Sequence, residues 1–340
     1  MNKALKITFG TVLAMSMATS AFAYEEFLND TAVWIVGTYT KPSNNGLSVG
    51  DLITATPVAG GFDGGRRAIF LEPDYDWDYG LGIRYHIPLT HTHVFMTYDH
   101  YRDHKRREDN NLQNISITAP PPTNQSPTEA SASVHEHFNE FRLGFSRGLH
   151  FGHRFCVDLS AFFEYDRLSR HLHEENSNAN GEEAERFTDG KMRGYGPGVG
   201  AMARAFPFAS YPQFSVFAGI MNTLLFAKND YNQEFFEDDD FGYEYNPEQS
   251  KSVVGKIDIN FGLEYCFGFG PRSPRFDIAL GMKFQNLFNA FKNGNTAFNP
   301  LVQGHPNVNV VNGFAANTGF PQDWGRWGPY VQFSVMGANA

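Results

Sequence analysis

Along residues 66–87 hydrophobic and polar positions alternate without a break in phase. Ile69, Leu71, Pro73, Tyr75, Trp77, Tyr79, Leu81, Ile83, Tyr85 and Ile87 fall on one parity, and Glu72, Asp74, Asp76, Asp78, Gly80, Gly82, Arg84 and His86 on the other. A period of two belongs to a β-strand, whose successive side chains point to opposite faces. The stretch therefore predicts one long strand with an apolar and a polar face. At about 3.3 Å per residue it would overshoot a bilayer, so its first half is expected to project beyond the membrane, where Pro73 can lack a ladder donor. The alternation recurs over Phe155–Tyr165, Ile257–Phe267 and Phe276–Phe284, and more weakly over 31–40, 92–101, 134–147, 191–206, 213–227 and 327–336. No segment carries a helical period.

The connections decide the architecture. Segments 41–65, 102–133, 168–190, 228–250 and 288–326 are long and polar, whereas 88–91, 148–153, 207–212 and 269–274 are short. Strict alternation of long and short connections is the pattern of an outer-membrane barrel, with long extracellular loops, short periplasmic turns and an even number of antiparallel strands. The expected fold is all-β, a transmembrane antiparallel β-barrel of ten strands, or twelve if 66–87 hides a hairpin or 300–316 adds a strand. Trp34, Trp77, Tyr79, Tyr85, Tyr165, Tyr195, Tyr211, Tyr265, Trp324 and Trp327 lie near the predicted strand ends, where aromatic girdles meet the headgroups.

Composition fits a chain with only one face in lipid. There are 33 Phe, 15 Tyr and 33 Gly, yet the hydrophobic fraction is 41% and mean hydropathy is -0.39. At the N-terminus Lys3 and Lys6 precede an apolar stretch, Ile7 to Met17, and small residues ending Ala21-Phe22-Ala23, the pattern of a secretory signal. Residues 1–23 are expected to be removed after Ala23, leaving 24–340 as one barrel domain in the outer membrane of a Gram-negative cell. That apolar stretch is shorter than the roughly 20 residues a spanning helix needs. The formal charge of -10 disfavours a nucleic-acid partner. Cys156 and Cys266 lie three strand positions apart around a ten-stranded wall, which predicts free thiols.

On the polar parity, Glu72, Asp74, Asp76, Asp78, Asp99, Glu140, Asp158, Glu164, Asp166, Asp258, Glu264 and Asp277 face Arg84, Arg142, Arg204, Lys256, Arg275 and Lys283. These line the expected lumen, and an excess of carboxylates favours cations in a pore. The competing expectation is that the charges pair across the interior and fill it, because about eight strands already do so. His91 and His93, His135 and His137, and His171 and His173 have a spacing that places both imidazoles on one strand face, as a metal site could use, or as ordinary solvated polar residues. Asp99, His100, Asp103 and His104 supply residue types of a peptidase without the second carboxylate that would activate water. No Gly-x-Ser-x-Gly, Walker or HExxH motif occurs, so neither a reaction nor a cofactor is expected.

The stretch Leu71-Glu72-Pro73-Asp74-Tyr75-Asp76-Trp77-Asp78-Tyr79-Gly80-Leu81-Gly82-Ile83-Arg84-Tyr85 resembles the E-P-D-x-D-W-D signature of the Legionella major outer membrane protein family. Phe155 to Tyr165 resembles that family's strand before a long polar loop. The resemblance spans most of 31–336, with only 71–85 specific, and implies a pore-forming barrel with no catalytic residues. The expected function is porin-like passage of small solutes with mild cation selectivity. The alternative is a non-conducting barrel whose surface loops bind host or envelope components. Its partners would be outer-membrane lipid and lipopolysaccharide, with small solutes or ions, and the oligomeric state is left open.

Overall fold

A computed structural model describes residues 31–42, 47–58, 61–71, 75–110, 115–117, 127–152, 154–178, 183–208, 210–237, 240–245, 250–268, 274–291 and 323–337. Its strands are β1 (Thr31–Pro42), β2 (Leu47–Val58), β3 (Gly61–Leu71), β4 (Asp76–His86), β5 (Thr92–Asn110), β6 (Ile115–Ile117), β7 (Pro127–Phe151), β8 (Phe155–Asn178), β9 (Glu183–Ala205), β10 (Phe214–Glu237), β11 (Asp240–Tyr245), β12 (Ser250–Gly268), β13 (Arg275–Phe288) and β14 (Trp324–Met336). Ten of them close an antiparallel barrel in the order β10-β12-β13-β14-β1-β4-β5-β7-β8-β9, with β9 returning to β10. The first and last strands seal it, Ile35 opposite Phe333 and Thr38 opposite Tyr330. β11 extends the outer end of β10, and β2, β3 and β6 form a separate three-stranded sheet.

The expected single strand over 66–87 is two strands in two sheets. Residues up to Leu71 pair with β2, and those from Asp76 pair with β1 and β5. Alternation reports that two faces differ and is silent about which neighbour supplies the ladder. Pro73 carries no N–H to donate; it lies outside the described residues, as do Glu72 and the lumen candidate Asp74. Segment 300–316 also lies outside them.

Four of the five expected long connections, 41–65, 102–133, 168–190 and 228–250, are largely strand. β7, β8, β9 and β10 run 25, 24, 23 and 24 residues, where about 9–11 suffice to cross a bilayer. The polarity of the two faces inverts along them. In β8, Phe163 and Tyr165 face out and Glu164 and Asp166 are buried inside; beyond that point Leu168 and Leu172 are buried inside while Arg167 is exposed outside. In lipid the apolar face must point outward, and in water it must point inward. Because the apolar face switches sides, 168–190 and 228–250 lack the single apolar parity that marks a spanning strand.

Not every girdle candidate meets lipid. Trp34 lies inward over Gly82, its cross-strand neighbour, and a Cβ at Gly82 would collide with the indole. Trp324 is fully buried. Tyr39, Tyr75, Trp77 and Trp327 instead form an outer aromatic cluster, Tyr39 stacked on Tyr75, Trp77 tilted against Tyr39 and Trp327 edge-on to Tyr75, with ring centroids 5.2 to 5.7 Å apart.

Candidate functional site

The interior is the candidate site, and it has two tiers. Toward the short turns, Arg204 of β9 donates to Asp158 of β8 at 2.6 Å and to Glu264 of β12 at 3.0 Å, and Ser215 donates to Glu264 at 3.1 Å. Arg204, Asp158 and Glu264 keep some access to solvent, 26%, 24% and 16%, while Ser215 is buried. Arg84 reaches the Met336 sulfur at 3.8 Å. Asp277 is buried beside Cys266, its register partner, and Lys283 is 2.5 Å from Asp99.

Toward the outer end the barrel is filled. Lys256 Nζ of β12 crosses to Glu140 Oε2 of β7 at 2.5 Å and to Asp166 Oδ2 of β8 at 2.8 Å, and also bonds Glu164. Arg142 donates to Glu164 at 2.9 Å, lies 2.9 Å from Glu140 and bonds Asp258 of β12. Lys256 and its three carboxylates have no more than 1% side-chain exposure. On the other side, Arg326 of β14 joins Asp78 at 2.9 Å and Gln285 at 2.7 Å, Thr40 donates to Asp78, and Gln285 donates to Glu140 at 2.7 Å.

Aromatic rings cap these charges. Phe138 takes the Lys256 ammonium at 5.1 Å and the Arg326 guanidinium at 5.3 Å over its face, a cation–π geometry strengthened by exclusion of water. Above them Tyr101, Val134, Phe138, Leu168, Leu172, Met192, Leu225, Val254, Leu287, Phe291 and Trp324 form one buried cluster. Trp324 Nε1 donates to Glu136 at 3.1 Å, and Arg170 donates to Glu136 at 2.5 Å. Phe291 lies just past β13, so the connection to β14 starts by turning inward, its ring 5.3 Å from the Arg170 guanidinium. Farther out, beyond the membrane band, Glu174 pairs with Arg186; burial pushes its carboxyl above the usual range, against the pull of Arg186.

Of the candidate lumen residues, Asp78, Arg84, Asp99, Arg142, Asp158, Glu164, Lys256, Asp258, Glu264, Asp277 and Lys283 meet in this interior. Asp76 instead stands at the start of β4, where its carboxylate accepts from the Trp77 amide at 2.7 Å. Sequence reasoning missed Glu136, Arg170, Gln285, Trp324 and Arg326, although extending the inward parity of β7, β8, β13 and β14 past the girdle would have found them. Glu140, Glu164 and Asp166 converge as metal ligands would, but the Lys256 ammonium already occupies their focus.

The histidine pairs divide. His135 and His137, and His171 and His173, share the outer face; the Asp189 carboxylate bonds His171 Nδ1, and Glu185 lies 3.8 Å from His173. His91 sits in a turn, whereas His93 turns inward, its ring 4.8 Å from His86. Asp99 and His100 point to opposite faces, Asp99 to Lys283 and His100 to Asn139 at 2.8 Å, so they form no acid–base pair. Both cysteines are free, as their separation predicts.

Among solved structures, the outer membrane protease OmpT from Escherichia coli aligns with TM-score 0.42 and 11% identity, covering 91% of this chain and 96% of that one. The toluene transporter TodX of P. putida aligns with TM-score 0.32 and 8% identity over 94% and 92%. A Pseudomonas aeruginosa FadL homologue gives 0.25 and 8% over 91% and 90%. No curated protein matches the sequence. Residues 35–337 match the family described as Legionella pneumophila major outer membrane protein precursor. With the sealed ten-strand wall and a match over nearly all of it, this chain belongs to that family and is an outer-membrane β-barrel.

Proposed function

We propose that the protein is a porin-like barrel with a gated path, exported by the signal of residues 1–23 and closed at its outer end in the conformation described. The observation that carries this reading is the contrast between the tiers. The Arg204, Asp158 and Glu264 side chains near the short turns are partly exposed, whereas the layer around Lys256 is sealed by charges and rings from every side of the wall. A static filled layer leaves no diffusion path, so passage requires Lys256, Arg142 or Trp324 to move. Once they do, the carboxylates Glu140, Glu164, Asp166 and Asp258 face the water and favour cations.

Single-channel recording in planar bilayers under a KCl gradient tests the proposal. Wild-type protein should show rare, brief openings with a potassium-selective reversal potential, and Lys256→Ala should open more often and select more strongly. A large conductance open at all voltages would sink the closed layer. The lengths of β7–β10 favour a second reading, in which the barrel anchors a projecting sheet that binds envelope or host components. A folded, heat-modifiable protein that stays silent, with a silent Lys256→Ala variant, would leave that reading standing.

A further inference from the structure

On the outer face, Arg167 of β8, Arg193 of β9, Lys228 of β10 and Lys251 of β12 stand directly opposite one another across four adjacent strands. All four are exposed. Like charges directly opposite one another destabilise a sheet. Among the described residues none of the four has a carboxylate partner, whereas the interior cations Arg142, Arg204, Lys256 and Arg326 are each bonded to at least one. The nearest outer-face acid on the next step of these strands, Asp230, stands opposite Lys191 instead.

The row has a defined place. One side-chain step nearer the membrane, the same four strands carry Tyr165, Tyr195, Phe226 and Val253, all exposed and directly opposite in turn. On each strand the lipid-facing series therefore ends where the cation begins, a step of about 6–7 Å along the chain. Across the strands the four cations span about 15 Å. The register continues over β7, β5 and β4 as Asn139, His100 and Tyr79, so along this row, among the described residues, the cations are confined to β8, β9, β10 and β12, in a chain whose net charge is -10.

We propose that this row binds the phosphates of lipid A, the acylated disaccharide of lipopolysaccharide, with the acyl chains lying along the aromatic and aliphatic residues beneath. Two arginines suit bidentate phosphate contacts and two lysines add point charges. Phosphates set immediately above acyl chains match a basic row set immediately above a lipid-facing row. The site depends on the barrel's placement in the membrane and is independent of whether its interior conducts.

The test is lipid retention by the purified full-length protein in neutral detergent, read by native mass spectrometry with bisphosphorylated lipid A, dephosphorylated lipid A and phosphatidylglycerol as probes. Wild-type protein should retain bisphosphorylated lipid A in preference to both others. The pairs Arg167→Gln/Arg193→Gln and Lys228→Gln/Lys251→Gln should each weaken retention roughly tenfold or more, while Arg147→Gln/Arg154→Gln at the opposite end should not. Heat modifiability verifies folding, and the comparison of probes on wild-type protein stands even if a variant fails to fold. Equal retention of all three probes, an unchanged affinity in both outer pairs, or a shift in oligomeric state without loss of lipid would each overturn the proposal.

Discussion

Lys256 shows how a single side chain organises this interior. It is a fully buried ammonium facing three carboxylates, and removing one member of a buried ion cluster strands the rest. Lys256→Met should therefore lower stability by about 3–5 kcal/mol, measured by urea unfolding in detergent micelles. Adding Glu164→Gln and Asp166→Asn should return part of that loss; no recovery would show that packing rather than charge sets the cost. Gly82 acts through its lack of a side chain. Gly82→Ala should cost about 1–3 kcal/mol by overpacking against Trp34, and Trp34→Leu should relieve it. Most of the interior charges were legible from parity alone, because Glu164, Lys256 and Asp258 fall on the polar face of strongly alternating stretches and Arg142 on that of a weaker one. Trp34 and Trp324 were not, since proximity to a strand end does not reveal which face a tryptophan takes.

At the scale of elements, the outer halves of β8 and β9 separate strand from loop most sharply. Pairing continues from Arg167 opposite Arg193 to Ser177 opposite Glu183. Amide hydrogen exchange over 167–178 and 183–194 should be slowed as in the membrane-spanning parts, whereas a polar loop would exchange at once. The sequence hid these segments because their apolar residues, Leu168, Leu172 and Met192, sit on the parity that carries charge lower down. The split between β3 and β4 was hidden differently, by an alternation that runs in phase through Pro73 and across two sheets.

For the whole molecule, closure depends on β1 meeting β14. Ile35→Cys with Phe333→Cys, opposite in the sealed wall, should form a disulfide only once the barrel is folded, visible as a mobility shift on oxidation; cross-linking in the urea-unfolded chain to the same extent would contradict the closure. The strand number and the succession of turns were legible because each crossing repeats one pattern between breaks of opposite length. Filling of the interior by paired charges was one of the two expectations drawn from the strand number, but which residues pair was not legible, since partners such as Glu140 and Lys256 lie far apart in the chain and meet only when the wall curves. The inversion of polarity from Tyr165 to Arg167 and from Tyr195 to Arg193 also fixes immersion depth. Sinking the barrel by one pair of residues would draw guanidinium groups toward hydrocarbon, and raising it would expose aromatic rings to water, so a bilayer of mismatched thickness must itself thin or thicken around the protein.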